Sequence, residues 1–441
     1  MRITRELHNP MFRQYSDHEF SEKLKKIDLI LDLYPEVADW VMADLAPGLD
    51  PRGAAGMTAE EVLRAGLLMQ IENLTYRQLE FHLKDSMTMR AFVRINDSKS
   101  YSRSALQSNI KSISEATWQK IHGLTVMHAK KIGIEKGKTV RMDATVVESN
   151  ISSPRDSQLM VDCLRVISRI AFWMNEQGLE IKLAYKHKKA KAASLAILNA
   201  KNEEARLEFY LPLILGSGEV FMQLPKIIST LEKSKNLPKA RDKFVKTLNN
   251  LTGLFEGIIA QTIARVVDGD KVDSCDKIIS IFEEHSDVIV KSRRETEFGH
   301  KFFLTTGKSN LVIDCQIADG NPADSERFME MLHRTKAIFG KFPSETTADG
   351  GFASAKNVEL AKKAGVKNVC FNKRCGLEIL DMCKTKATFK RLAKFRAGIE
   401  SNISALKRGF GLTRAFWKGS DGFNAFVWSG VVAYNFMILA K

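Results

Sequence analysis

Apolar residues recur at helical spacing along the first 135 residues of the chain. The runs SEKLKKIDLILDL and MTAEEVLRAGLLMQIENLTYRQLEFHLKDS place them every three or four positions, and the second run predicts two helices. Thr58 and Glu61 have the spacing of a capping box at the start of the first of these, and the next helix is predicted to begin near Thr75. Two further helices are predicted before Gly133, so residues 1–135 are expected to be all-helical.

The pattern changes to that of a β-strand at KTVRMDATVVESNI, residues 138–151. Its threonines and valines favour extended backbone, and a glycine and a proline flank the run. Asp143 lies in the middle, where aspartate is unfavourable for a strand. A residue type that is unfavourable for its predicted element, as aspartate is here, often marks a functional position. Residues 136–154 are therefore predicted to form the first part of a catalytic core.

Helical spacing returns between residues 155 and 285 and predicts a helical insertion. The run DSQLMVDCLRVISRIAFWMNEQ is amphipathic, and KLAYKHKKAKAASLAILNAKNEEARLEF is long and basic. The lysines of the second run fit either a surface that faces phosphates or a solvated charged face. The sequence leaves both interpretations open.

Strands and helices alternate from residue 286 to residue 441. HKFFLTTGKSNLVIDCQIADG predicts a hairpin, which precedes a helix, a short strand ending at Asp349, a helix, a strand at VKNVCF and a helix that carries Glu400. With the strand of Asp143, this order is typical of a ribonuclease H-like fold. The predicted fold class is an α/β catalytic core of that type, with a mixed five-stranded sheet, an all-α N-terminal domain and the helical insertion.

The last apolar segment, FNAFVWSGVVAYNFMILA, is of marginal length for a membrane span. Asn424, Ser429 and Asn435 interrupt it, so it is predicted to be a buried core helix, and no membrane partner is expected. At the other end, MRITRELHNPMF lacks the apolar stretch of a signal peptide, and none is predicted.

Composition changes this picture by indicating a polyanionic partner. The formal net charge of +15 favours nucleic acid first and an acidic membrane surface second. The N-terminal helices are compatible with a helix-turn-helix DNA-binding region and equally with a plain helical bundle. None of the six cysteines has CxxC spacing, so we expect free thiols and a reduced, cytoplasmic setting, without a zinc site or disulfides.

A single acid, Glu400, lies among ten lysines and arginines between residues 384 and 418. Arg396, Glu400 and Lys407 share one face of the predicted helix, apart from its apolar stripe. Lone acids in basic segments are expected to hold something positive. The residues predicted to contact DNA phosphates are Arg396, Lys407, Arg408 and Arg414.

Neighbouring strands would put Asp143 beside Asp349, and the later helix would lay Glu400 across both. Close anions repel one another, and divalent cations remove that repulsion. Carboxylate oxygens suit Mg²⁺ or Mn²⁺, and two such ions support in-line phosphoryl transfer. The alternatives are that each carboxylate forms a structural salt bridge with a nearby arginine or lysine, or that Asp319 or Asp324 takes the place of Asp349.

These residues resemble the blocks of bacterial insertion-sequence transposases of the DDE class. RMDATVVESNI is similar to the block of the first catalytic aspartate, and TADGGF to that of the second. The third block is Tyr, two residues, Arg, three residues, Glu, six residues, Lys; Arg396, Glu400 and Lys407 match it, whereas Ala393 stands at the tyrosine. RRETEFGHKFFLTTGKSN and MTAEEVLRAGLLMQ also resemble this group.

The resemblance implies a transposase that cuts the ends of a mobile element and joins them to target DNA. It implies Asp143, Asp349 and Glu400 as ligands of two Mg²⁺ or Mn²⁺ ions. The implied partners are double-stranded DNA, as terminal inverted repeats and target, and further copies of the chain in a homodimer or larger assembly near the nucleoid. Two other functions stay open: a non-catalytic DNA-binding protein derived from a transposase, and a structure-specific nuclease of the same fold.

Overall fold

The computed structural model describes residues 3–5, 15–48, 56–96, 99–234, 237–238, 240–290, 296–372 and 376–441. These residues divide into two compact units, one of Met1–Asn150 with Gly299–Lys441 and one of Ile151–Phe298. The predicted insertion, 155–285, falls inside the second unit. Most of MRITRELHNPMF, the two arginines that open RRETEFGHKFFLTTGKSN, and Cys375 lie outside the described residues.

The N-terminal part of the first unit is helical, as predicted. Its helices are α1 (Glu19–Asp32), α2 (Glu36–Leu45), α3 (Ala59–Ile71), α4 (Tyr76–Asp85), α5 (Met87–Val93), α6 (Arg103–Ile110) and α7 (Glu115–Lys131). Thr58 and Glu61 form the expected capping box, and Thr75 forms a second one with Gln78. The run predicted as two helices contains α3 and α4, as expected, and Ser86 at its end also caps the following helix α5.

The described residues contain seven strands, so the prediction of a five-stranded sheet was wrong in number. They are β1 (Thr139–Ser149), β2 (Asp287–Val290), β3 (Thr296–Thr306), β4 (Val312–Ile317), β5 (Glu345–Ala348), β6 (Asn368–Phe371) and β7 (Arg414–Ala415). The two unpredicted strands, β2 and β7, are too short to show an alternating pattern.

The sheet is mixed, as predicted. Its order is β2-β3-β1-β5-β6, with β4 on β3 and β7 on β1. β1 and β4 both run antiparallel to β3. β5 and β7 run parallel to β1, and β6 runs parallel to β5. The long strand β1 is therefore the one that joins the antiparallel and parallel halves of the sheet.

The remaining helices fall into two groups. Those of the second unit are α8 (Asp156–Glu176), α9 (His187–Asn199), α10 (Glu203–Lys233) and α11 (Ala240–Thr262), which pack around their own apolar core. Those of the first unit are α12 (Asp324–Phe339), α13 (Ala355–Lys363), α14 (Ile379–Met382), α15 (Lys386–Gly409) and α16 (Ser420–Leu439). The five described cysteines are free thiols, in agreement with the prediction.

The C-terminal helix α16 lies in the core of the first unit, packed against α3 and α7. In the described residues α10 and α16 are both long and apolar enough to cross a membrane, a test that core helices of soluble proteins also pass. The most apolar stretch of α16 is 72% buried inside the protein. The prediction of a buried core helix is confirmed, since even Asn435 and Ser429 are fully buried there.

The buried amide of Asn435 fixes α16 to its neighbours. Its Oδ1 accepts from the backbone N–H of Val312 at 3.0 Å, and its Nδ2 donates to the backbone oxygen of Val312 at 2.9 Å and to Thr125 Oγ1 at 3.1 Å. The edge strand β4 and the helix α7 therefore both bond to one side chain of α16.

We expect Asn435→Ala to lower the free energy of unfolding by about 1–3 kcal/mol, because it leaves buried groups of Val312 and Thr125 without this partner. Chemical denaturation of the full chain measures the change. Asn424→Ala is the matched control on the same helix, since Asn424 is only half-buried and donates to Glu115. Equal losses in the two variants would contradict the anchoring role of Asn435.

Candidate active site

The pairing of β1 with β5 brings two of the predicted site residues together. The strands run parallel, and Met142 pairs with Ala348. Asp143 and Asp349 are the next residues on the two strands, so they lie at the same edge of the sheet. Asp349 directly precedes a 3₁₀ turn, Gly350–Phe352, which turns the chain away from the sheet.

Helix α15 packs on β1, β5 and β6 and brings Glu400 to the same place. The link is Arg396, one turn before Glu400 on the helix. Its Nη2 lies 3.1 Å from Asp143 Oδ2 and 3.3 Å from Asp349 Oδ1, and its Nη1 lies 3.0 Å from Glu400 Oε1. The structure therefore brings the three predicted carboxylates together around one guanidinium. We call Asp143, Asp349, Glu400 and Arg396 the carboxylate cluster.

The three acids differ in their exposure to solvent. The side chain of Asp143 is 13% exposed, that of Asp349 is 40% exposed and that of Glu400 is 67% exposed. Burial raises the pKa of Asp143 to about 6, against the lowering effects of a hydrogen bond from the Ala144 N–H and of Arg396. Three carboxylates face one guanidinium, so the cluster has an excess of negative charge.

A fourth carboxylate, Asp324, lies near the cluster at the start of α12. Its negative charge contributes to the raised pKa of Asp143, and Lys301 Nζ lies 2.6 Å from its Oδ1. A Cβ at Gly351 would lie 2.5 Å from Asp324 Oδ2, so the second glycine of TADGGF permits this close approach. Of the other two acids near the hairpin exit, Asp319 is exposed and Asp314 pairs with Arg334.

The position of α15 over β1 depends on Arg141, which sequence reasoning missed. Arg141 lies two residues before Asp143 and is buried. Its Nε donates to Thr306 Oγ1 at 2.9 Å, its Nη1 to the backbone oxygen of Phe395 at 3.0 Å and its Nη2 to Asn402 Oδ1 at 2.6 Å. The side chain passes against Gly398, where a Cβ would lie 2.1 Å from Nη1.

Asn402 extends this network from α15 to the hairpin and to α16. Its Nδ2 donates to the backbone oxygen of Asn310 and to Tyr434 Oη, each at 2.7 Å. The two signals that could have revealed the network are a glycine and an asparagine inside a helix, Gly398 and Asn402, since both residue types are unfavourable there. One polar network thus connects the strand of Asp143 with the helix of Glu400.

The four basic residues predicted to contact DNA lie in different environments. Arg396 is buried in the carboxylate cluster, and Lys407 is half-buried on α15. Arg408 is exposed near the end of α15. Arg414, in β7, donates from its Nε to Glu148 Oε2 at 3.0 Å. DNA contact by these residues stays a prediction, and two of them already have carboxylate partners.

The donor chemistry of the cluster fits a hard divalent cation, because it consists of carboxylate oxygens already gathered around a positive group. In the described ranges, however, no group of three or more His, Cys, Asp and Glu residues is arranged to hold a metal ion. The guanidinium of Arg396 lies between the three acids and sets their present spacing.

Two protein families match the chain. The family described as Transposase DDE domain matches residues 266–436, and the family described as Transposase domain (DUF772) matches residues 16–112. No curated protein and no solved structure shows significant similarity to the chain. The first match includes Asp349 and Glu400, whereas Asp143 lies outside both matches and is brought beside the other two acids by the pairing of β1 with β5.

We expect Gly398→Ala to lower the free energy of unfolding by about 1–3 kcal/mol, as overpacking does in well-filled sites. The added Cβ would meet Arg141, whose guanidinium is bonded on several sides and cannot move freely. Gly409→Ala on the same helix is the control, because a Cβ there meets nothing within 4 Å. Thermal or chemical unfolding measures both. A neutral Gly398→Ala would contradict the fixed position of Arg141.

The pKa of Asp143 predicts how stability changes with pH in protein freed of metal ions by chelator. Because the folded pKa of about 6 exceeds the ordinary 3.8, the folded state holds this proton more tightly than the unfolded chain. The contribution of protonated Asp143 to the free energy of unfolding is complete below about pH 4 and is lost as the pH rises through 6.

We therefore expect the stability of Asp143→Asn relative to wild type to increase between pH 4 and pH 8, by on the order of 1–3 kcal/mol. Denaturation curves at each pH provide the measurement, and Asp349→Asn, at a more exposed position of the same cluster, is the comparison. A difference between Asp143→Asn and wild type that is the same at every pH would contradict the raised pKa.

Proposed function

Since this chain belongs to the DDE-type insertion-sequence transposases, enzymes that cleave and transfer DNA, we propose that Asp143, Asp349 and Glu400 are its catalytic carboxylates. The observation that carries this proposal is their convergence on one cation from β1, from the end of β5 and from α15. Asp143 lies more than 200 residues before Asp349 and Glu400 in the chain, and a purely structural salt bridge needs only one of the three acids.

The fold proposed for the catalytic core is ribonuclease H-like. Two features support it: the antiparallel β1, β3 and β4 followed by the parallel β5 and β6, and the helices that follow β4, β5 and β6 in the chain. The second unit, Ile151–Phe298, begins directly after β1 in the chain. The acids then occupy the edge of the sheet where β1 continues beyond its pairing with β5.

We propose Mg²⁺ or Mn²⁺ as the cofactor, two ions per site, held by Asp143, Asp349 and Glu400. When bound, such ions activate the attacking oxygen and stabilise the leaving oxygen of an in-line phosphoryl transfer. The chain itself supplies the orientation: the hydrogen bond from the Ala144 N–H fixes Asp143, and the Arg141 network fixes the helix of Glu400. Lys407 and Arg408, further along α15, are proposed to position phosphates.

The proposed partner is double-stranded DNA, as element ends and as target. A net charge of +15 and the basic α15 support this, since phosphate contacts supply most non-specific affinity for DNA. The helical region 1–135 is proposed to bind DNA, and the protein to act as a homodimer or larger assembly in the cytoplasm at the nucleoid. A non-catalytic DNA-binding role is the second candidate, because Arg396 already satisfies the three acids with salt bridges.

The test is cleavage of DNA that carries the flanking element ends, with Mg²⁺ present, by wild type and by Glu400→Gln. Glutamine keeps the size of the side chain and removes the charge that a metal ion requires. We expect cleavage on a denaturing gel to fall by at least about a hundredfold, since even residues that only support metal ligands cost 10–100-fold. DNA binding is expected to persist.

Glu359→Gln is the matched control, because Glu359 is an exposed glutamate that pairs with Lys363 on α13. Equal cleavage by wild type and Glu400→Gln would remove Glu400 from the mechanism. Tight binding without cleavage by any form, on DNA with the correct ends, would favour the non-catalytic role. Cut DNA without joined products would favour a nuclease.

A further inference from the structure

We propose that Arg396 is a built-in counter-ion which occupies the cation position between Asp143, Asp349 and Glu400, and that divalent metal ions bind there only after its guanidinium has turned out of the cluster. The proposal rests on the proposed function, because it concerns the same three carboxylates. It assigns to Arg396 a role in the metal-free enzyme that is separate from any contact with DNA.

The first argument is the number of carboxylates that one guanidinium contacts. Arg396 is within 3.3 Å of an oxygen of each acid, and Glu400 lies one helical turn away, where an arginine and a glutamate pair readily. The planar fork of arginine can bridge several acceptors, which the point charge of lysine does less well. Without a positive group, three neighbouring carboxylates would repel one another.

The second argument is that the guanidinium and the metal ions exclude each other. Oxygen ligands of Mg²⁺ lie at about 2.0–2.1 Å from the ion, so the acids would have to move inward from their present contacts with nitrogen at 3.0–3.3 Å. The guanidinium lies in the space into which they would move. Like charges at this separation also repel strongly in a partly buried site.

The third argument is that the cluster contains both a fixed and a movable part. Asp143 is mostly buried and accepts a hydrogen bond from the Ala144 N–H at 2.8 Å. Asp349 and Glu400 are 40% and 67% exposed, so they can reorient around it. Among the described residues, Arg396 Nε is buried and donates to no acceptor, so the present position of Arg396 does not satisfy the whole guanidinium.

The experiment is titration of the full-length, metal-free protein with Mn²⁺ in the absence of DNA, followed by calorimetry and by the electron paramagnetic resonance signal of free Mn²⁺. We expect Arg396→Gln to bind Mn²⁺ about tenfold more tightly than wild type, a factor within the usual range for coupling between two binding events. The affinity of Arg396→Lys for Mn²⁺ should lie between those of wild type and Arg396→Gln, because lysine keeps the positive charge but lacks the planar guanidinium.

The matched control is Arg391→Gln. Arg391 lies on the same helix and is exposed, and its Nη2 is 2.5 Å from Glu345 Oε1, at the other end of β5 from Asp349. This variant loses the same charge from α15 without touching the cluster. Its affinity for Mn²⁺ should stay within about twofold of wild type, since exposed charges are screened by salt.

Asp143→Asn, alone and combined with Arg396→Gln, separates failure of this proposal from failure of the proposed function. If Mn²⁺ binding depends on Asp143 but Arg396→Gln binds equally or more weakly than wild type, the counter-ion role is wrong and the metal site stands. If no form shows Mn²⁺ binding that depends on Asp143, both are wrong. Circular dichroism melting shows that each variant is folded before it is titrated.

Discussion

Carboxylates of like charge repel one another, and this chain holds three of them in contact with a single guanidinium. A cation between the acids offsets this repulsion. Much of the surrounding architecture serves to set these groups at fixed places: the parallel pairing of β1 with β5 aligns Asp143 and Asp349, and α15 crosses the sheet with Arg396 and Glu400 on the facing side.

The rigidity behind this placement comes from a second arginine. Arg141 binds the hairpin and α15 and, through Asn402, the C-terminal helix, so one hydrogen-bond network joins the sheet to α15 and α16. A buried guanidinium with well-placed acceptors is specific in direction as well as in charge. The two arginines near Asp143 thus differ: Arg141 is fixed by neutral acceptors, whereas the partners of Arg396 in the described part of the chain are the carboxylates of the cluster.

Much of the fold follows from the sequence, because long periodic segments such as α1, α3 and α15 carry their own pattern. Asp143 and Asp349 could be found since each breaks or ends a strand, and Glu400 because it is a lone acid in a basic helix. The burial of Arg396 could not be predicted. Helical spacing shows which residues share a face of the helix, but not how far the sheet covers that face. Arg414 pairs with Glu148 through a two-residue strand that leaves no pattern in the sequence.

The position of α16 has a consequence for how incomplete copies of this protein behave. Helices α1, α3 and α7 pack against α16, so the core that begins near Leu24 is completed only by the final twenty or so residues of the chain. During synthesis the N-terminal helices have no such partner until α16 has been made. A reading frame interrupted before Ser420 therefore yields a fragment with a large exposed apolar face, prone to aggregation and degradation. Copies of the gene interrupted there would then yield little stable fragment to compete with the intact enzyme for DNA.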